Sequence, residues 1–135
     1  EDKINLGHWT FNGIWPTDCF GFIYEITNNT TQKKNIGKKQ VQKIIKRPPL
    51  KGKKNKRHVI TESDWKTYTG SCNDLNNQII SDGKDNFTFN ILRICNNKWE
   101  LSYYEAELQF KLGVLLRDDY YNGIINCRIG KKPRN

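Results

Sequence analysis

The sequence lacks a long apolar run and lacks clustered cysteines, and these absences exclude several classes of protein. No segment of its 135 residues approaches the ~20 consecutive apolar residues that a transmembrane helix needs. The four cysteines are far apart, with no Cys-x-x-Cys pair and no nearby histidine pair, so the sequence does not predict a zinc site. The N-terminus has no basic stretch followed by an apolar one, so we expect no signal peptide. A cytoplasmic protein with free thiols is therefore predicted.

Acidic residues are missing from a long stretch of the chain. Between Thr27 and Thr61 there is no aspartate or glutamate, although 12 of the 23 basic residues lie there. The net charge of +9 therefore comes from this one segment. A basic segment of this kind binds polyanions in a strongly salt-dependent way. A flexible loop whose lysines are merely solvated is the alternative, and the composition leaves both interpretations open.

Hydrophobic patterning predicts one α/β domain over residues 1–135, with a β-β-loop-α-β-α order. The predicted elements are strands over 20–27, 33–39 and 87–95, a helix that stops at Gly83, and a helix over about 98–113. Residues 1–18 should form an N-terminal arm that packs its aromatic side chains on the core. Pro48, Pro49 and Gly52 argue against a long helix in the basic segment, where we expect a loop with short extended pieces.

One carboxylate falls among the core positions of the predicted second helix. At helical spacing, Glu105 shares a face with Leu101, Leu108 and Leu112. A buried carboxylate is unfavourable unless a cation or a metal ion compensates its charge. The residue types alone leave both a structural ion pair and a functional metal ligand open.

Two short motifs lie in the predicted hairpin, and two more follow downstream. They are Phe22-Ile23-Tyr24, Asn35-Ile36-Gly37, Tyr68-Thr69-Gly70-Ser71 and Tyr103-Tyr104-Glu105-Ala106. In this order they resemble the motifs of the GIY-YIG nuclease family, and in particular its phage-borne, Seg-like homing endonucleases. The resemblance covers roughly residues 18–130. A lone tyrosine in a strand is usually an ordinary strand residue, and it is the conjunction of motifs that gives Tyr24 its interest.

The resemblance implies a fold, an activity and a set of site residues. The fold would be an α/β (α+β) domain with a small three-stranded antiparallel sheet flanked by helices. The activity would be hydrolysis of phosphodiester bonds in double-stranded DNA with one divalent cation, Mg²⁺ or Mn²⁺. Glu105 would be the metal ligand, and Tyr24 would activate or orient the attacking water. Arg57, or else Arg47, would hold the scissile phosphate through its planar guanidinium.

The resemblance also assigns three further residues. His58 could accept a proton near the site, although a surface histidine is equally consistent with the sequence. The family places an asparagine after the glutamate helix, and Asn122 fits that position best, with Asn126 as the second choice. The second motif of the family usually starts with tyrosine, whereas this chain has Asn35. An asparagine can hydrogen-bond a water or a phosphate oxygen but cannot act as a base, so we expect it to keep only an orienting role.

The basic segment 40–58 and the residues just before it are expected to contact DNA. The predicted contact residues are Lys38, Lys39, Lys43, Arg47, Lys53, Lys54 and Lys56. Such contacts position a duplex without reading its sequence. Only a short basic tail follows the family pattern, so recognition would come from the catalytic domain, a homodimer or a recognition partner. No membrane partner is expected.

Two other functions compete with an active endonuclease. A catalytically degenerate relative that binds DNA without cutting it, such as a repressor, is favoured by Asn35. A basic RNA-binding module is the third candidate, but the sequence has no RNP-like aromatic motif, no KH-type loop and no double-stranded RNA signature. A phage-encoded nuclease would act in the cytoplasm of the host cell.

Overall fold

Six strands and two helices follow one another along residues 4–134, the part of the chain that the computed structural model describes. The strands are β1 Thr10–Phe11, β2 Gly21–Asn28, β3 Lys34–Gln40, β4 Gln42–Arg47, β5 Arg57–Glu62 and β6 Phe87–Cys95, and the helices are α1 Asn73–Asp82 and α2 Lys98–Leu112. The predicted hairpin, the third strand and both helices are therefore confirmed, because their apolar periodicity and their end signals agreed.

The main sheet has the strand order β1-β6-β2-β3. Strand β2 is antiparallel to both of its neighbours, so the expected three-stranded antiparallel sheet is confirmed. The short strand β1 adds a parallel edge beside β6, which the sequence did not predict. Trp9 fixes this edge, since its ring is buried and its Nε1 donates a hydrogen bond to the carbonyl of Trp65 at 2.6 Å.

Strand β2 is buried on both faces and separates two halves of the core. Its residues Phe22, Tyr24 and Ile26 pack with Trp9 and with Leu75 of α1. On the opposite face, alternate residues of the same strand pack against α2. The sheet therefore lies between α1 with the N-terminal arm on one side and α2 on the other, which places the hairpin motif at the centre of the molecule.

The basic segment is a regular β-hairpin, where the sequence predicted a loop with short extended pieces. Among the strands described here, β4 and β5 pair only with each other, in register from Gln42 opposite Glu62 to Arg47 opposite Arg57. Ile44 and Ile45 face Ile60 and Val59 across the hairpin, and local patterning did not reveal these cross-strand contacts. Pro48, Pro49 and Gly52, which excluded a helix, lie in the connecting loop.

The ends of α2 follow the expected capping chemistry. Asn97 caps the first turn, since its side chain accepts a hydrogen bond from the backbone N–H of Glu100 at 2.9 Å. Gly113 ends the helix in the left-handed conformation, with φ of 64°. These caps fix which residues of α2 face the sheet. None of the helices within residues 4–134 has the length and apolar character that crossing a bilayer requires.

Candidate active site

A cleft of about 390 Å³ lies where the edge strand β3 meets α2, the start of α1 and the segment after Tyr120. The polar and small residues that line it include Asn35, Gly37, Ser71, Asp74, Glu105, Gln109, Asn122 and Asn126. They come from four separate parts of the chain, so only the folded sheet brings them together. Three of the predicted site residues, from β3, α2 and the C-terminal segment, therefore share one cleft.

Glu105 is the largely buried carboxylate of this cleft, with its side chain 13% exposed. Burial raises the pKa of Glu105 above its ordinary value, and the nearby ammonium of Lys38 acts in the opposite direction. The Nζ of Lys38 lies 3.3 Å from Oε1 of Glu105. The ion pair that the sequence left open is therefore present, and its cation lies on the exposed side of the pair.

The donor set around Glu105 suits one hard divalent cation. Mg²⁺ typically takes one or two carboxylates from the protein and completes its coordination with water and substrate phosphate. Within residues 4–134, no group of three or more His, Cys, Asp or Glu side chains could hold a metal by itself. A cation in this cleft would therefore be held by Glu105 together with substrate oxygens, and Asp74 is a second carboxylate that lines the cleft.

Tyr24 lies behind the cleft, 2% exposed, with its hydroxyl against the backbone of Gly37. The two residues are directly opposite each other in the β2–β3 pairing. Desolvation, followed by the influence of Tyr68 and Glu105, raises the pKa of Tyr24 well above its ordinary value. This shift favours the neutral phenol of Tyr24, which can donate a hydrogen bond.

The Tyr68–Ser71 loop covers the hydroxyl of Tyr24. Gly70 adopts φ of 88°, and a Cβ at this position would lie 3.1 Å from Oη of Tyr24. Asn76 of α1 holds the loop in place, since its Nδ2 donates to the carbonyl of Gly70 at 3.0 Å. Its Oδ1 also accepts a hydrogen bond from the hydroxyl of Thr69 at 2.6 Å. This supporting role of Asn76 had no signal in the sequence.

Asn122 clamps the C-terminal segment to the exposed edge of β3. Its Oδ1 accepts a hydrogen bond from the backbone N–H of Ile36 at 2.9 Å, and its Nδ2 donates to the carbonyl of Ile36 at 2.8 Å. Both ends of the amide are thus occupied by the backbone of the second motif. The structure supports Asn122 over Asn126 as a residue that positions the cleft.

Replacing Asn122 with alanine should lower the free energy of unfolding by about 1–3 kcal/mol. The reason is that the backbone N–H of Ile36 loses its partner, and the Ile36 carbonyl keeps only the hydrogen bond from Gln109. Urea denaturation of both proteins would measure this loss. Asn126→Ala is the matched control, since Asn126 lines the same cleft but makes no side-chain hydrogen bond within residues 4–134. Equal stability losses in the two variants would contradict the clamp.

Gln109 is a buried cleft residue that the sequence did not point to. Its side chain is 3% exposed, and its Nε2 donates to the carbonyl of Ile36 at 2.9 Å. It lies four residues after Glu105 on α2, so helical spacing could have found it. Its Oε1 is buried without a hydrogen-bond partner among the described residues, which leaves an acceptor at the cleft wall.

Comparison with known families agrees with this geometry. The family model described as "Putative endonuclease segE, GIY-YIG domain" matches residues 7–125. The chain belongs to this GIY-YIG family. The match confirms the resemblance read from the motifs and covers the whole β2–β3 hairpin, both helices and the clamp at Asn122. No curated protein and no solved structure matched the chain.

Two predicted site residues of this GIY-YIG protein, Arg57 and His58, do not line the cleft. Both are exposed at the outer end of β5, where Arg57 is opposite Arg47 and His58 is opposite Lys46. The Nε of Arg57 donates a hydrogen bond to the carbonyl of Pro48 at 3.4 Å. The hairpin carries these side chains away from Glu105, so the geometry gives no support to their predicted roles at the scissile bond.

The basic residues predicted to contact DNA lie on β3 beside the cleft, on β4 and in the loop between β4 and β5. Lys38 is paired with Glu105, and Lys39 is paired with Asp64 at 2.7 Å, with its Nζ 4.2 Å from the ring centre of Tyr68. Lys43 and Arg47 follow on β4, and Lys53, Lys54 and Lys56 lie exposed in the loop between β4 and β5. The GIY-YIG cleft and the basic hairpin are thus joined by one continuous stretch of chain.

Proposed function

We propose that this GIY-YIG protein is a metal-dependent endonuclease that hydrolyses phosphodiester bonds in double-stranded DNA. The observation that carries the proposal is the largely buried carboxylate of Glu105 in a cleft shared with Asn35 and backed by Tyr24. One divalent cation, Mg²⁺ or Mn²⁺, bound there would neutralise the charge that develops on the leaving oxygen. Membership of the family supports nuclease activity in general.

The protein's own groups would position the reactants. Tyr24, a neutral phenol, would donate a hydrogen bond rather than remove a proton, because burial raises the pKa of its hydroxyl. The amide of Asn35 faces the cleft and would orient the attacking water or a phosphate oxygen. Tyr24 and Asn35 would therefore both contribute by orienting the reactants.

Positive charge for the scissile phosphate would come from the cleft walls. The ammonium of Lys38 lies beside Glu105 and would bind a phosphate oxygen when substrate enters, in place of the Glu105 carboxylate. The first turn of α1 lines the same cleft, and the backbone N–H groups at a helix N-terminus favour an anion. These groups would replace Arg57 and Arg47 in the role that the family resemblance implied for them.

The partner and the setting belong to the same proposal. The basic segment 40–58 supplies the charge for contact with the phosphate backbone of DNA, which is the main source of sequence-independent affinity. A phage-encoded homing endonuclease that acts in the host cytoplasm is consistent with the Seg-like family that matches the chain. Assembly as a homodimer or with a recognition partner would supply any longer target site.

A plasmid assay tests the proposed activity directly. Supercoiled DNA incubated with the protein and Mg²⁺ should be nicked or linearised, and EDTA should prevent this. Mn²⁺ should support cleavage in place of Mg²⁺. Intact plasmid with both cations, under conditions in which the protein binds duplex DNA tightly, would overturn the nuclease and favour the degenerate DNA-binding function.

Asn35→Tyr distinguishes these two functions further. Asn35 lines the cleft although it is only 6% exposed, and a tyrosine at this position restores the usual second motif. We expect the variant to cleave plasmid at the wild-type rate or faster, measured in single-turnover reactions. A folded Asn35→Tyr protein with much slower cleavage would contradict the orienting role proposed for Asn35.

A further inference from the structure

The β4–β5 hairpin is a separate two-stranded ribbon that projects its own surface. Its strands pair with each other and with no strand of the main sheet within residues 4–134. Ile44 and Ile60 lie opposite each other on one face of the ribbon and are 59% and 66% exposed. The exposed Arg47 and Arg57 lie opposite each other on the other face. A two-stranded hairpin is at best marginally stable by itself in water. This ribbon therefore has the properties of an element that is completed by a partner.

The charges on the ribbon indicate the chemistry of that partner. Arg47 is directly opposite Arg57, and like charges in this position destabilise a hairpin. Within residues 4–134, neither guanidinium is paired with a carboxylate. The loop between the strands adds four lysines, Lys51, Lys53, Lys54 and Lys56, and no acidic residue. A polyanion would relieve this repulsion.

The shape of the ribbon selects one kind of polyanion. Its two strands are ~4.8 Å apart, and the major groove of B-DNA, ~12 Å wide, admits a two-stranded ribbon with its side chains. The major groove of an RNA duplex is too deep and narrow for side chains to read. We propose that the β4–β5 ribbon enters the major groove of duplex DNA and that Arg47 and Arg57 read base edges there. This recognition role rests on the DNA cleavage proposed above.

The two faces of the ribbon have different compositions. Side chains alternate along a strand, so Lys43 and Arg47 share a face with Arg57, whereas Lys46 and His58 lie on the opposite face. A guanidinium can donate two parallel hydrogen bonds to O6 and N7 of guanine, which is the commonest specific contact in this groove. The loop lysines would contact phosphates and position the ribbon without reading sequence.

The connection to the cleft predicts where the recognised bases lie. β3 passes through Val41 directly into β4, so about ten residues, or at most ~33 Å of extended chain, separate Gly37 in the cleft from Arg47. One turn of B-DNA spans a similar length, about ten base pairs. The preferred base pairs should therefore lie on one side of the cleavage position and within about ten base pairs of it.

A binding selection in EDTA tests this recognition without requiring cleavage. Wild-type protein is mixed with a duplex library that has a randomised centre, and the bound sequences are compared with the input. Wild type should select guanine at one or two positions. The variant Arg47→Lys/Arg57→Lys keeps the charge but cannot form the paired hydrogen bonds, so its preference should fall about 10-fold or more with little change in average affinity.

Two control variants separate base reading from charge. Lys46→Arg, on the opposite face, should keep the wild-type base preference. Replacing Lys53, Lys54 and Lys56 with alanine should keep the preference but weaken binding, and the salt slope should fall by about 0.9 for each phosphate that the variant no longer neutralises. Methyl green, a major-groove ligand, should displace the protein more effectively than netropsin, a minor-groove ligand.

Several results would overturn the ribbon's recognition role. They are a wild-type protein without base preference, an unchanged preference in the double arginine variant, displacement mainly by netropsin, and equal competition by duplex RNA. A wild type that selects bases in EDTA but never cuts plasmid with Mg²⁺ or Mn²⁺ would refute the nuclease and support the ribbon. A wild type that cuts plasmid but shows no base preference would support the nuclease and refute the recognition role of the ribbon.

Discussion

Glu105→Ala should slow plasmid cleavage at least ~10³-fold, which corresponds to ~4 kcal/mol less transition-state stabilisation. The reason is that Glu105 is the largely buried carboxylate of the cleft and the residue proposed to hold the divalent cation. Duplex binding in EDTA should change little, because most of the affinity comes from the basic segment. Single-turnover cleavage and a binding titration at one salt concentration measure the two effects.

Glu107→Ala is the matched control, because it makes the same change in charge on an exposed face of α2. It should cleave at nearly the wild-type rate. Loss of cleavage in both variants would point to net charge and not to the position of Glu105. Wild-type cleavage by Glu105→Ala would remove the basis of the proposed metal site.

Stability provides an independent measurement on the same residue. Burial raises the pKa of Glu105 in the folded state, so its stabilising contribution is fully present below the unfolded-state pKa, near 4.5, and is lost as pH rises through the folded-state pKa. Glu105→Gln, which cannot ionise, should therefore be more stable than wild type at pH 7, and the difference should shrink towards pH 4. Urea denaturation at several pH values tests this trade-off between function and stability.

Gly37→Ala should destabilise the fold by about 2–3 kcal/mol and abolish cleavage, because it overpacks a buried contact. A Cβ at this position would lie 2.4 Å from Oη and 2.5 Å from Cζ of Tyr24. The Tyr24 ring is enclosed by Trp9 and Phe22 and cannot simply move aside. Thermal or urea denaturation and plasmid cleavage would measure the two effects.

The control for this substitution is Gly130→Ala, since a Cβ at that position meets nothing within 4 Å. It should leave stability within about 0.5 kcal/mol of wild type, as most surface substitutions do. Tyr24→Phe combined with Gly37→Ala should recover only part of the stability, because the clash with the ring carbon remains. A stable and active Gly37→Ala protein would show that the Tyr24 hydroxyl has more space than the structure gives it.

Local patterns in the sequence were sufficient for most of the secondary structure. The predicted strand over 87–95 is β6, whose first five residues alternate between buried and partly buried positions, and the predicted end at Gly113 is the left-handed cap of α2. The same helical spacing placed Glu105 on one face with Leu101, Leu108 and Leu112, and the structure finds the carboxylate largely buried. Short-range rules succeed here because the physical causes are themselves short-range.

The hairpin of β4 and β5 shows where local patterning fails. Ile44 and Ile45 are consistent with either one helical turn or a strand when only neighbours in sequence are considered. Pairing with Val59 and Ile60, across a loop rich in lysine and proline, decides between them. Because of that pairing, Arg57 lies at the outer end of the hairpin and not in the active site, where the sequence predicted a phosphate ligand.

The sequence by itself determined most of the elements, the order of the GIY-YIG motifs and the inward placement of Glu105, because each depends on spacing along the chain. Only the tertiary structure decided which residues meet in the cleft. Asn122 and Gln109 bind the backbone of Ile36 from 86 and 73 residues away, and Tyr24 meets Gly37 through strand register. Contacts of this kind depend on long-range packing of the sheet edge against α2, and no local sequence pattern specifies them.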